Sequence, residues 1–441
     1  MFLNNESVRS RGIVIAAPNS NSGKTVFTMG LVAALRDQGL SVAAAKAGPG
    51  FIDPQFLSLA SDAPCHSLDK WAMGPAQVRA RAAQIGATAD LVMIEGMMGM
   101  FDGAAGLDGS TADLAATLDL PVLLLVDASG QAQSIAALVH GFATLRPQPK
   151  LCGVIATQVG SPGHGEMLRD ALIETGIPLV GTVMRSEALH IPSRHLGLVQ
   201  AIERAAPDRL VEAARDAVEA GVDLDLLISL CQDLPTGSTI KPMPPLGQRI
   251  AVARDAAFGF AYPHLLEDWQ GQGAEVSVFS PLSDEAPDLN SDAVYLPGGY
   301  PELHAAQLAS ARNFLDGLAQ VAHAGARVYG ECGGFMALGQ SLTDADGHAH
   351  RMAGLLGHST SFARPKMHIG YRTLFALQPG LWDGPLRGHE FHWSDTTDVG
   401  TDPALFRMED ARGTDLGAVG GRRGNVFGSY AHIIDRCPAR A

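Results

Sequence analysis

The sequence predicts an α/β protein of two domains, each a mostly parallel sheet with helices on both faces. Three observations carry this. From Gly12 to about Ile228, short apolar runs alternate with Ala/Leu-rich stretches, the order that right-handed βαβ units require. The runs, such as Leu120 to Val126, are continuous, which suits strands buried on both faces. Between residues 232 and 248 the texture changes: Gln232 to Gly237 and Lys241-Pro242-Met243-Pro244-Pro245 are proline-rich and aperiodic. The expected organisation is a polar tail over 1–11, a first domain over 12–231, a linker over 232–248 and a second domain over 249–441.

The first strand reads from Ile13 to Ala16, and an apolar helix follows from Val26 to Leu35. Between them stands Ala17-Pro18-Asn19-Ser20-Asn21-Ser22-Gly23-Lys24-Thr25. A loop entering a helix N-terminus aims backbone N–H groups at a phosphate. Residues Asn19, Ser20, Asn21, Ser22 and Gly23 would cradle it, Lys24 would reach the outer phosphates, and Thr25 would sit on Mg²⁺. Pro18 stands where this motif has its first glycine. Further along, Lys46 to Pro54 puts Asp53 on a loop after a strand. Leu91 to Ile94 then delivers Glu95 to a strand's carboxyl end, where ligands gather in such sheets. Either carboxylate alone is better explained as a helix or turn cap. Thr25, Asp53 and Glu95 together favour Mg²⁺, which takes few protein oxygens. Further strands read at Val122 to Val126 and Val154 to Ala156.

After the linker a strand begins at Ile250, and the helix–strand alternation is expected to resume to the end. Ala293 to Leu296 leads into the turn Pro297-Gly298-Gly299-Tyr300-Pro301. Ala326 to Gly330 leads into Glu331-Cys332-Gly333-Gly334 and a helix from Phe335. Small residues there permit a strained turn that presents the thiol at a helix N-terminus, where the thiolate is favoured. A buried, inert cysteine is the ordinary alternative; the phosphate loop upstream weighs against it. Asn425 to His432 reads as a strand ending in an exposed histidine, a general base for Cys332. The N–H groups of Gly299 and Gly333 would form an oxyanion hole. In Gly388 to Trp393, His389 and His392 project to opposite faces of a strand, which argues against a metal there.

Composition bounds the rest. With 46% hydrophobic and 18% charged residues, large cores are available and widespread disorder is excluded. The apolar runs are too short to cross a bilayer, and no charged-then-apolar leader opens the chain. Five cysteines without a CxxC pair argue for a reducing, cytoplasmic location. A net charge of −14 without a basic run argues against nucleic acid or an anionic membrane as partner.

With Pro297-Gly298-Gly299, Gly330-Glu331-Cys332-Gly333-Gly334 and His432 in that order, the second domain resembles class I (triad) glutamine amidotransferases. The first is similar to dethiobiotin-synthetase-like P-loop proteins. Their pairing, with Arg194-His195-Leu196-Gly197-Leu198 between them, resembles the cobyrinic acid a,c-diamide synthase family, and its hydrogenobyrinic acid form most closely. The resemblance implies ATP- and glutamine-dependent amidation of the a- and c-carboxylates of the ring through acyl phosphates, in cobalamin biosynthesis. It assigns Cys332 as the attacking thiolate and His432 as its base, and gives Arg194, His195 and Asp102 to the macrocycle. The partners it implies are L-glutamine, ATP and a corrinoid polycarboxylic acid, with a homodimer allowed. Three positions depart from the family pattern. Ile434 stands where many triad enzymes have glutamate, Gly50 where aspartate is usual, and Thr157-Gln158 in place of an Asn-Arg/Lys pair tied to the base. Cobyric acid synthase and a nickel-tetrapyrrole diamide synthase share the architecture. A P-loop switch ATPase is the rival from another class, but Asn19 stands where its signature lysine would be.

Overall fold

The computed structural model describes residues 9–104, 108–191, 193–194, 197–198, 200–203, 206–236 and 239–438. They fall into two compact units, Met1–Pro192 with Leu198–Ile240, and Ser193–Gly197 with Lys241–Ala441.

The first unit carries β1 (Arg11–Ala16), α1 (Lys24–Asp37), β2 (Val42–Ala47), α2 (Asp53–Ser61), β3 (His66–Leu68), α3 (Lys70–Gly86) and β4 (Leu91–Glu95). There follow α4 (Thr111–Leu118), β5 (Val122–Asp127), α5 (Ser134–Thr144), β6 (Leu151–Val159), α6 (Pro162–Leu172) and β7 (Leu179–Met184). The unit closes with α7 (Pro207–Gly221), α8 (Leu224–Leu230) and β10 (Gln232–Asp233). Before them in the chain come two short strands, β8 (Ser193–Arg194), which is grouped with the second unit, and β9 (Gly197–Leu198), which spans the division. The eight-stranded sheet runs β3-β2-β4-β1-β5-β6-β7 with all these strands parallel. Its middle is apolar throughout, Leu123, Leu124 and Leu125 being fully buried, as a sheet covered on both faces demands. α7 buries Leu210, Ala214 and Val218, one helical face. Gly30 lets α1 approach α7: a Cβ there would lie 2.4 Å from the Ala214 carbonyl oxygen. The stretch read as linker contributes β10, which pairs antiparallel with β1. Arg11, placed in the tail by composition, opens β1 and donates to the Ile228 carbonyl.

The second unit contains β11 (Arg249–Ala253), α9 (Pro263–Gly271), β12 (Glu275–Phe279), β13 (Ala293–Leu296), α10 (Ala305–Ser310), α11 (Arg312–His323), β14 (Arg327–Glu331) and α12 (Gly333–Leu338). From there the described chain carries strands: β15 (Ser341–Thr343), β16 (Ala349–Arg351), β17 (Ser359–Ser361), β18 (His368–Ala376), β19 (Leu386–His392) and β20 (Asp395–Asp398). The last are β21 (Phe406–Asp410), β22 (Asp415–Val419), β23 (Gly421–Arg423), β24 (Val426–Ser429) and β25 (His432–Arg436). A six-stranded sheet, β12-β11-β13-β14-β24-β23, is parallel except at β23. Two further sheets, β22-β21-β18-β19-β25 and β16-β15-β17-β20, complete the unit.

The alternation expected to continue to the end therefore stops at α12. The reason is the period: β19 alternates buried and half-buried residues along its whole length. That pattern belongs to antiparallel strands with one covered face, not to βαβ units.

Candidate active sites

In the first unit the chain leaves β1, turns through Asn21 and Gly23 with φ of 62° and 84°, and enters α1 at Lys24. Glycine takes that left-handed geometry without cost. The Ser22 hydroxyl donates to the Asn19 side chain at 2.6 Å, bracing the loop. Lys24 is buried, its Nζ donating to the carbonyls of Met98 at 2.7 Å and Asn19 at 3.1 Å. Burial, together with Lys46 nearby, lowers its pKa to about 8. Asp102, proposed to meet the macrocycle, accepts from the Gly99 N–H at 2.9 Å and so shapes the loop after β4. Thr157 and Gln158 join Gly23, Phe27, Val183 and Met184 around a small, mostly apolar cleft beside the loop.

The three expected metal-site residues do converge. Thr25 Oγ1 donates to Glu95 Oε1 at 2.9 Å. Asp53 is not on a loop: it is the first residue of α2, whose N-terminus favours its charge. Between the two carboxylates lies a residue to which sequence reasoning gave no role. Lys46, buried near the end of β2, places Nζ 2.6 Å from Asp53 Oδ2 and 2.6 Å from Glu95 Oε1. Its burial opposes the charge, but Asp53 and Glu95 outweigh that and hold the ammonium above the usual lysine range. Lys46 in turn holds Asp53 below the usual carboxylate range against the effect of burial, whereas burial pushes Glu95 up. The register pairs Lys46 directly with Glu95 across β2 and β4. A single lysine in the run Val-Ala-Ala-Ala-Lys-Ala was the available signal. Glu95 Oε2 is buried and makes no hydrogen bond among the described residues. An orphaned carboxylate oxygen beside a threonine hydroxyl and a second carboxylate suits a hard cation. Arg194 lies in β8; its side chain and all of His195 fall outside the described residues.

In the second unit Cys332 joins β14 to α12 with φ 46° and ψ −104°, a left-handed strain of the kind stored at functional sites. Gly334 makes the turn possible, since a Cβ there would fall 1.9 Å from the Leu296 carbonyl oxygen. His432 is not the exposed end of a strand. The strand ends at Ser429, and His432 opens β25, only 2% exposed. The loop after β13 sits between thiol and imidazole. A Cβ on Gly298 would lie 2.2 Å from His432 Cε1, 3.1 Å from its Nε2 and 3.2 Å from Cys332 Cβ. An antiparallel bridge from Phe260 to Gly298 pins that loop. The amide nitrogen of Gly299 lies 3.1 Å from the Cβ position of Gly333, so the two expected oxyanion donors are neighbours.

Burial keeps both reactive groups neutral at rest. It raises the Cys332 thiol well above its usual range, with Glu302 adding to the effect. It lowers His432 to about 3, with His389 and His392 contributing. Glu331, immediately before Cys332, is 1% exposed, and sequence reasoning gave it no role. Its Oε2 accepts from the Tyr295 hydroxyl at 2.7 Å and lies 4.0 Å from His432 Nδ1. Its Oε1 accepts from the Ile433 N–H at 3.1 Å. Burial raises its pKa to about 7 despite those hydrogen bonds. A glutamate closing an otherwise apolar strand was its signal. His389 and His392 fall at opposite phases of the β19 alternation, the first half-buried and the second buried. His392 Nε2 meets Glu390 Oε1 at 3.1 Å, and Glu390 accepts from Arg372 at 2.7 Å. All five cysteines are free, and among the described residues no helix is long and apolar enough to cross a membrane.

Comparison with known proteins places both units. Residues 13–199 match the CobQ/CobB/MinD/ParA nucleotide binding domain, and residues 249–436 match the CobB/CobQ-like glutamine amidotransferase domain. The hydrogenobyrinate a,c-diamide synthase of Rhizobium meliloti (strain 1021) is 50% identical over 424 residues, 96% of this chain and 99% of its own. That of Brucella anthropi is 48% identical over 435 residues, 98% of this chain and all of its own. That of Agrobacterium fabrum is 46% identical over 433 residues, 96% and 99% of the two chains.

Proposed function

This chain belongs to the hydrogenobyrinate a,c-diamide synthases, and from that premise we propose that it amidates the a- and c-carboxylates of hydrogenobyrinic acid with glutamine nitrogen and ATP in the cytoplasm. The carrying observation is identity near 50% over almost the whole length, which includes both units.

At the thiol site the Cys332 proton passes to His432 Nε2 as sulfur bonds the side-chain carbonyl carbon of glutamine. The carbonyl electron pair moves onto oxygen, beside the N–H groups of Gly299 and Gly333. The oxyanion collapses, the C–N bond breaks, and the imidazolium proton leaves with ammonia. Water, deprotonated by the same imidazole, then hydrolyses the thioester to glutamate and restores the thiol.

A carboxylate resists ammonia, so it must first be activated. The ring carboxylate takes the γ-phosphoryl group of ATP and expels ADP. The nitrogen lone pair of ammonia adds to the acyl phosphate, phosphate departs with its bonding pair, and a proton is lost to give the amide. Asn19 to Gly23 would cradle the phosphates, and Lys24 would neutralise charge gathering on the transferred group. Thr25, Asp53 and Glu95 would hold Mg²⁺, and Asp102, Arg194 and His195 would lie toward the macrocycle. When bound, the ion shields phosphate charge. Lys46 holds Asp53 and Glu95 in place before any ligand arrives.

The test is incubation with glutamine and Mg-ATP against hydrogenobyrinic acid and cobyrinic acid separately, with product masses. Two amides on the metal-free ring support the reading. Gain on the cobalt ring alone assigns the other substrate, and no gain on either rejects it.

A further inference from the structure

The family resemblance leaves a vacancy in the thiol site: many triad enzymes place a glutamate two residues after the histidine, and Ile434, fully buried, stands there. A histidine that must take a proton from a thiol needs something to fix its ring and to offset the imidazolium that forms. The need is acute here, because burial disfavours charge on both partners.

We propose that Glu331, the residue preceding the nucleophile, is the positioning carboxylate for His432. This rests on the reading of Cys332 and His432 as nucleophile and base. Three features of the fold carry it. Glu331 Oε2 is 4.0 Å from His432 Nδ1, while Cε1 and Nε2 of the same ring border Gly298, which also borders Cys332. The carboxylate cannot wander: the Tyr295 hydroxyl holds Oε2 and the Ile433 N–H holds Oε1. The second of those bonds ties the strand that bears the base to the strand that bears the nucleophile. Moreover, Tyr295 stacks on Tyr329, with centroids 6.0 Å apart and planes at 10°, so the donor is itself fixed. One strand end thus supplies nucleophile and orienting anion side by side. A proton arriving at Nε2 leaves the Nδ1–H facing Glu331. A contraction of about 1 Å would convert the present separation into a charge-assisted hydrogen bond.

Other ionisable groups face this pair. His389, His392 and Glu390 reach it from β19, and Glu302 approaches from the turn after β13. Burial lowers His389 to about 4, while Glu390, with burial opposing but His392 and Arg372 prevailing, falls to about 2. Glu331 at about 7 is a group expected to shape an acid limb near neutrality, and the Glu331→Gln variant shows whether it does.

The test compares wild type, Glu331→Gln, Glu331→Asp and Tyr295→Phe in three assays: glutamine hydrolysis, ammonium-dependent amidation, and alkylation of Cys332 by iodoacetamide across pH, located by peptide mass. Gln keeps an acceptor for Ile433 but removes the charge. Expected for Glu331→Gln is a loss in glutaminase kcat of about 10² or more, by the precedent of a triad carboxylate changed to its amide. KM should hold within about twofold and ammonium-dependent turnover should be unchanged. Its alkylation profile should lose the step near pH 7, Glu331→Asp should recover part of the rate, and Tyr295→Phe should give a smaller loss of the same kind. The proposal is overturned if the Gln variant keeps wild-type kcat and alkylation profile, or if ammonium-dependent turnover falls in parallel. Should Glu331→Gln fail to fold, an unchanged alkylation profile in Tyr295→Phe overturns it instead. Alkylation requires no glutamine, so a wild-type enzyme that ignores glutamine would reject the functional reading while the profile still judges Glu331.

Discussion

At one end of the first sheet a buried ammonium lies 2.6 Å from two carboxylates. At the thiol site of the second unit, a thiol and an imidazole border the same glycine, Gly298, with charge favoured on neither. The first site is charged and internally compensated before any ligand arrives, so a ligand rearranges existing ion pairs. The second is neutral at rest, burial disfavouring charge on both groups. Burial is common to both. The difference is whether an opposite charge was built in, and it sets how each site should fail.

The largest effect is expected where charge must be created. Cys332→Ser should lower glutamine-dependent turnover by about 10³-fold or more, because a serine hydroxyl ionises far less readily. Ammonium-dependent turnover should persist, and steady-state rates with each nitrogen source check this. Gly298→Ala should act on the same half-reaction, since the new methyl meets His432 Cε1. A displaced imidazole should cost about 10²-fold with glutamine and little with ammonium.

At the compensated site the comparison predicts instability instead. Lys46→Met leaves the buried Glu95 and the half-buried Asp53 without their shared cation and should cost about 3 kcal/mol in unfolding free energy. Added Mg²⁺ should restore more of the loss than it adds to wild type, as thermal melts with and without the ion would show. If Mg²⁺ restores nothing, the three oxygens do not form a cation site.

The mildest effect concerns Lys24. Its pKa falls from 10.5 to about 8, so the folded protein favours the neutral amine. That penalty on the charged form is full below about pH 8 and disappears as pH rises toward 10.5, so the ligand-free protein gains stability over that interval. Nucleotide affinity should move the opposite way. It should weaken by up to about tenfold per pH unit above 8, where the ammonium is lost. Binding titrations from pH 7 to 9.5 measure it.

Legibility in the sequence followed the same division. The phosphate loop was readable because its donors are consecutive and a strand and a helix bracket it. Cys332 was readable because glycines surround it in a strand–turn–helix order. Lys46 was not, since nothing in an alanine-rich strand says that its lysine turns inward to Asp53, and Glu95 becomes its neighbour only through the β2–β4 register. His432 was found but misplaced at an exposed strand end, because nothing local says that the chain turns after Ser429 and buries the next strand. The antiparallel strands after α12 were missed because they were read with the period of the first half.

By itself the sequence determined the α/β class, the strand–loop–helix at Asn19 to Thr25 and the strand–turn–helix at Cys332, for these depend on contiguous residues and backbone geometry. Tertiary structure alone decided which charges meet: Lys46 with Asp53 and Glu95, Glu331 with His432. Pairings of that kind depend on sheet register and on how far water is excluded, and both arise only when distant strands pack side by side.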